Sequence, residues 1–148
     1  MAEIGFYHLL STPLERALPR LLERARAQGH RIVVRAGSAE RVRHLDTVLW
    51  TYDEASFLPH GSSGDGNAAA QPIWLTERDD NPNSAAMLVL VDGVDADDLA
   101  AYARCADLFD GNDEGAVEAA RRRWRRARDA GHTLTYWRQT ASGWEREA

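Results

Sequence analysis

The chain reads as an α/β domain with a mainly parallel sheet and helices on both of its faces, and three observations predict this. Short β-branched or apolar runs ("EIGFYHL", "RIVV", "AAMLVLVDG") alternate with longer stretches in which leucine, valine and alanine return at helical spacing. The first run reads as a buried strand, the condition of strands in a parallel sheet covered by helices. At 148 residues the chain is long enough for one domain with a sizeable core and short for two. A single domain over residues 1–148, built as a three-layer sandwich, is therefore expected.

The elements follow in order. Residues 3–9 form the first strand. "STPLERALPRLLERARAQGH" is a helix in which Thr12 caps, Pro13 takes the first position and Glu15 completes a capping box. Leu14, Leu18, Leu21, Leu22 and Ala25 mark its buried side, and Gly29 ends it. Pro19 inside this pattern removes a backbone donor and predicts a kink or a late start. "IVVRAG", over 32–37 after Arg31, is the second strand. "SAERVRHLDTVLW" is a helix capped by Ser38, with Val42, Leu45, Val48 and Leu49 inward. Residues 51–71, rich in Gly, Ser and Asn, are expected to be an irregular loop. Strands follow at 72–76 and 85–93, separated by the turn-rich "ERDDNPNS". Asp95 is placed as the cap of a helix through "ADDLAAYARC", residues 106–111 as a short strand, and 113–130 as a last helix closed by Gly131. "HTLTYWRQT" is the final strand before a polar tail.

Composition narrows the functional classes. With 44% hydrophobic and 28% charged residues the chain has the balance of a soluble globular protein. No apolar run approaches the roughly 18 residues of a membrane span. "MAEIGFYHLLSTP" lacks a basic stretch and a cleavage site, so no signal peptide and a cytoplasmic location are expected. Cys105 is the single cysteine, which excludes an internal disulfide and a cysteine-based zinc site. All 18 basic residues are arginine, yet the net charge is −5. Such a chain is not expected to coat duplex DNA nonspecifically, although a local basic patch can still capture an acidic partner.

Candidate chemistry is sparse. The glycine segment "HGSSGDG", 60–66, runs into a strand, whereas a phosphate cradle needs its backbone donors at the start of a helix. The first strand–helix junction, "HLLSTPLE", has no glycine, which argues against dinucleotide binding at the usual place. The expected architecture is thus Rossmann-like without a dinucleotide motif. The five histidines (His8, His30, His44, His60, His132) are scattered without ligand spacing. Asp95, Asp97 and Asp98 resemble a cation site in composition, but helix capping explains them. No G-x-S-x-G elbow occurs, and Cys105 has no neighbouring histidine. No catalytic residue, metal site or cofactor is expected.

Two features remain. Trp50 ends an amphipathic helix and Phe57 follows in the loop; the pair either seals the helix end against the core or forms an exposed anchor for a partner. "RRRWRRARDAGH", residues 121–132, holds a third of the positive charge around Trp124. Val117, Ala120, Trp124 and Ala127 recur as the inward stripe, Arg121, Arg125 and Arg128 form the adjacent ridge, and Arg122, Arg123 and Arg126 point to solvent. A charge run is ordinarily a solvated face. Here like charges four residues apart (Arg121–Arg125, Arg122–Arg126) destabilise the helix by a few tenths of a kcal/mol per pair. An acidic partner would relieve that repulsion through bidentate contacts.

At these residues the sequence resembles a known family, the chi subunits of the bacterial DNA polymerase III holoenzyme. The resemblance rests on "FYHL", "RLL…GHRIVV", "LDTVLWTYDEASFLPH", the Arg/Trp helix ending "ARDAGHTLTYW", and "GW" in the tail. It implies an α/β fold without catalytic activity, linking the clamp-loader complex to single-stranded-DNA-binding protein, so that DNA is met indirectly. That protein's C-terminal tail is acidic and ends in a phenylalanine carboxylate. Carried over by position, the tail site falls on Arg121, Trp124 and Arg125, with Val117 and Arg128 beside them. Trp124 replaces what is often a tyrosine, and Val117 stands where some members carry a basic residue. The surface for the psi subunit, if this protein has such a partner, falls on Trp50 and Phe57. Two other classes stay open: a small nucleotide-binding enzyme, and a direct single-stranded nucleic-acid binder using the arginine helix.

Overall fold

The computed structural model describes residues 2–53 and 58–148. Strands β1 (Glu3–Leu9), β2 (Ile32–Arg35), β3 (Gly61–Ser62), β4 (Ile73–Thr76), β5 (Met87–Leu90), β6 (Arg104–Asp110), β7 (Thr133–Thr140) and β8 (Gly143–Arg146) join one sheet. Their order is β3-β4-β2-β5-β6-β1-β7-β8. Every pairing is parallel except the β7–β8 hairpin. Among the described residues three helices cover it: α1 (Leu14–Ala27), α2 (Ala39–Thr51) and α3 (Glu114–Asp129).

Alternation along the strands divides the core into two layers. Ile32, Val34, Ile73, Leu75, Val89 and Leu108 face α1 and α2, where they meet Leu18, Leu22, Leu45 and Leu49. Ile4, Phe6, Val33, Leu88, Leu90 and Phe109 face the opposite way, towards Ala120 and Ala127 of α3. Each fully buried leucine or isoleucine contributes roughly 1.5–3 kcal/mol. The three-layer α/β architecture expected from the sequence is the one observed.

Local signals explain most helix ends. The Ser38 hydroxyl accepts from the Arg41 amide at 3.2 Å and starts α2. Helices α1 and α3 close through Gly29 and Gly131, at φ +85° and +88°, where side chains are strained. Beyond each glycine the chain turns back, His30 N donating to Ala25 O and His132 N to Ala127 O.

Several expectations are corrected. Helix α1 runs through the buried Pro19 and begins at Leu14, so there is no late start. Thr12 does not cap it. Its hydroxyl accepts instead from Nε2 of Gln139 on β7 at 2.7 Å. The expected helix after Asp95 reduces to one 3₁₀ turn at Leu99–Ala101. The aspartates that would have capped it are drawn elsewhere: Asp98 binds both terminal nitrogens of the buried Arg35 at 2.8 and 3.0 Å, and Asp95 and Asp97 bind Arg126. That guanidinium hydrogen bond holds the Asp98 carboxyl below the usual carboxylate range. Part of the expected loop pairs as β3 on the edge of β4, and the polar tail returns as β8, where Trp144 packs edge-on against Tyr7. No helix among the described residues is long and apolar enough to cross a membrane.

Candidate functional site

Helix α3 is set on the sheet by a buried ion pair. Its first turn is capped by Asp113, whose carboxylate accepts from Gly115 N and Ala116 N. In the middle, Arg123 forks onto Asp107 of β6, Nε to Oδ2 at 2.6 Å and Nη2 to Oδ1 at 2.9 Å. Arg123 is 8% exposed and Asp107 2%. Burial pushes the Asp107 carboxyl up, and the guanidinium opposes that shift. Arg123 was expected to face solvent; it is the helix's internal tether. It sits three residues after Ala120 and four before Ala127, both buried, so its position was on the inward face all along. The readable sign was Asp107, an acid between apolar residues of a strand.

The remaining arginines sort by what they meet. Arg126 is bound by Asp95 at 2.6 Å and by Asp97, so it is not free. Arg121 lies 3.6 Å from Glu118 and Arg128 3.3 Å from Asp129, both between exposed side chains. Such contacts are worth at most about 1 kcal/mol. Arg122 and Arg125 have no acidic partner among the described residues. Trp124 is half-buried, edge-on to Phe6 at 5.3 Å and to Tyr136 at 5.8 Å. Val117 packs against the same cluster. Behind it, the Tyr136 hydroxyl and His8 Nδ1 are 2.6 Å apart. Burial lowers the His8 pKa, and the nearby Arg138 and Arg121 charges lower it further. The structure thus brings Val117, Arg121, Trp124, Arg125 and Arg128 onto one helix, with an indole wall beside exposed guanidinium groups. Behind the wall, His8 and Tyr136 belong to the stretches "FYHL" and "ARDAGHTLTYW" but carried no site role, and Phe109 carried no motif.

The aromatic at the end of α2 is on the opposite side of the sheet. Trp50 is 54% exposed, and its ring lies 4.7 Å from that of His60. His60 is buried, with Nδ1 donating to Leu58 O at 2.6 Å and Nε2 3.0 Å from the Asp46 carboxylate. The latter contact is off line for a hydrogen bond. Leu45 and Leu49 face the core on the same helix. The Trp50 indole is tilted 51° against that imidazole and remains more than half exposed. Phe57 lies outside the described residues.

The place where a nucleotide would sit is altered in a definite way. A cavity of about 770 Å³ opens at the carboxyl ends of β1 and β6, between the starts of α1 and α3. Crevices at this position hold nucleotides in open α/β sheets. Here the amides of Leu10, Ser11 and Thr12, which face such a ligand, all donate to Oε1 of Gln139 at 2.9–3.0 Å. The rim carries Glu15, Asp92, Asp110 and Asp113, while its two arginines are already engaged: Arg41 by Asp92 and Arg123 by Asp107. The acidic rim sets a field unfavourable to phosphate there. The 60–66 segment contains β3 and leads to the 3₁₀ turn at Ala68–Ala70, with the Asp65 carboxylate accepting from Ser62 N. Among the described residues no three His, Cys, Asp or Glu side chains gather as a metal site. Burial pushes the Cys105 thiol up to about 12.

The family model described as "DNA polymerase III chi subunit, HolC" matches residues 1–135. A "Probable DNA polymerase III subunit chi" from Rickettsia prowazekii is 33% identical over 95 residues, 64% of this chain and 58% of that protein's length. With the match extending over all three helices and six of the strands, and into β7, the chain belongs to the family of DNA polymerase III chi subunits.

Proposed function

We propose that this chi-family chain is a non-catalytic, cytoplasmic adaptor that couples the clamp-loader complex to single-stranded-DNA-binding protein. In this reading the acidic tail of that protein lies along α3. Arg121 and Arg125, one turn apart, grip its carboxylates, and the terminal phenylalanine ring packs beside Trp124 and Val117, with Arg128 adding charge at one end. The observation that carries the reading is the division of the α3 arginines. Asp107, Asp95 and Asp97 satisfy Arg123 and Arg126 internally, while Arg125 beside the indole has no carboxylate among the described residues. An exposed cation with nothing to pair and an aromatic wall next to it suit an acidic segment ending in a ring.

Trp50, together with Phe57, is assigned to the polymerase side, through a psi subunit where one exists. Trp50 and Trp124 belong to helices on opposite faces of the sheet, an arrangement that lets two partners bind together without collision. The chain itself needs no cofactor in this role and meets DNA indirectly. The test is capture of single-stranded-DNA-binding protein by the immobilised chain, with that protein intact or lacking its last few residues. Capture of the intact form alone is the expected result; equal capture of both would remove the tail from the account.

A further inference from the structure

A third surface, away from α3 and from Trp50, joins aromatic rings to arginines. On the face covered by α1 and α2, α1 packs over β6. Between it and the β7–β8 hairpin the sheet opens into two adjoining grooves of about 230 and 50 Å³ that share Tyr7, Leu21, Arg24 and Trp144. Three rings line the floor. The Tyr7 and Trp137 planes are within 9° of parallel, with centroids 6.5 Å apart, and Trp144 stands edge-on to Tyr7 at 5.3 Å. The Trp137 indole N–H donates to Thr135 Oγ1 at 3.0 Å, which fixes the ring. Tyr7 lies back over Gly5, where a Cβ would come within 2.9 Å of its ring. That close approach is the reason a glycine serves in this strand.

The rim is basic. Arg20, Arg24 and Arg104 line the grooves, and among the described residues no aspartate or glutamate does. Arg20 and Arg24 are exposed and have no carboxylate partner among the described residues, and Arg104 meets Glu3 in an exposed contact at 3.4 Å. Opposed residues of an antiparallel pair share a face. The hairpin register therefore puts Arg146 across from Trp137 on this side and Glu145 across from Arg138 on the other. An acid-free, ring-lined groove in a chain of net charge −5 is a local inversion of the protein's field.

We propose that this groove binds single-stranded nucleic acid, bases stacking on Trp137 and Trp144 and phosphates running past Arg20, Arg24 and Arg104. Three aromatic surfaces in one groove match a series of bases better than an acidic peptide with one terminal ring. Duplex would withhold its base faces. Trp137 and Trp144 lie beyond residues 1–135, so the family match does not assign them a role. The inference is independent of the tail reading for α3.

The test is fluorescence anisotropy of a labelled 15-mer of thymidine with the full chain at low and physiological salt. Binding that weakens as salt rises is expected. Trp137→Ala should weaken it about 5-fold or more, from the loss of one stacking surface. Trp137→Phe should retain affinity within about 3-fold, since it keeps a π face. Arg24→Ala, at an exposed helical position that leaves folding intact, should lower affinity about 5-fold at low salt and flatten the salt dependence. It carries the test should a melt show that Trp137→Ala unfolds. Arg125→Ala on α3 should change nothing. Absence of oligonucleotide binding at low salt overturns the proposal, as does binding that Arg125→Ala abolishes and Arg24→Ala spares. An acidic peptide whose binding is lost in Arg24→Ala but kept in Arg125→Ala would make the groove a peptide site, and the proposal wrong.

Discussion

Replacing Arg123 by alanine should destabilise the fold severely, although the residue sits within a run of arginines that looks expendable. The substitution leaves the Asp107 carboxylate in the middle of the sheet with neither its charge partner nor two of its hydrogen bonds. Removing one member of a buried pair typically costs about 3–5 kcal/mol, because the remaining charge is stranded in a poorly solvating interior. For a domain of this size each kcal/mol shifts the melting temperature by about 3 °C, so a fall of roughly 9–15 °C is expected. Desolvation already raises the Asp107 pKa, and loss of Arg123 would raise it further. A raised acid binds more protons folded than unfolded. The variant's deficit should therefore shrink as pH falls from the folded value of Asp107 towards the unfolded value near ~3.9. Pairing Arg123→Met with Asp107→Leu should recover most of the loss, since two apolar side chains replace a pair that is costly to desolvate. Thermal melts by circular dichroism at pH 7 and pH 5 decide the matter. A shift under about 2 °C for Arg123→Ala, or a double variant no better than the single one, would refute the reasoning.

Two further outcomes are expected. Gln139→Ala leaves the amides of Leu10, Ser11 and Thr12 without their shared acceptor and should cost about 1–3 kcal/mol, read as a lower melting temperature. Gln139→Glu, whose oxygen still accepts, should keep most of that stability; equal losses for both would show that the oxygen is not what holds the turn. Trp50→Ala should melt close to the parent, because the ring is more than half exposed, yet weaken attachment to the polymerase assembly by roughly 2 kcal/mol. If it unfolds instead, Trp50 seals the helix end and the anchor assignment falls.

Much of the fold was legible where short-range chemistry acts alone. Ser38 caps α2, Gly29 and Gly131 end their helices, and the two-sided strands at 32–35 and 87–90 are read directly from apolar runs. Several of the misreadings share one cause, a long-range side chain that outcompetes a local preference. Gln139 takes the Thr12 hydroxyl, 127 residues away, from its helix. Arg35 and Arg126 remove Asp98, Asp95 and Asp97 from the helix start they would have capped. The same applies to the candidate site. Helical spacing put Trp124 beside the inward stripe, but treating every arginine as outward hid Arg123, whose partner comes from another strand. Asp107 was the visible clue, since a carboxylate in a central strand requires a cation from the layer above it.

The claim that an acidic, ring-terminated peptide binds α3 is tested most directly by titration calorimetry with such a peptide at two salt concentrations. Arg121→Ala and Arg125→Ala should each weaken binding by roughly 1.5–3 kcal/mol, the range for charge-assisted hydrogen bonds. Arg122→Ala, on the same helix, should change it much less, through long-range attraction that salt screens. Amidation of the peptide's terminal carboxylate should reproduce the loss seen for the arginine variants. Equal effects for Arg121, Arg122 and Arg125, all vanishing at high salt, would show a diffuse charged face with no defined peptide site and would contradict the account.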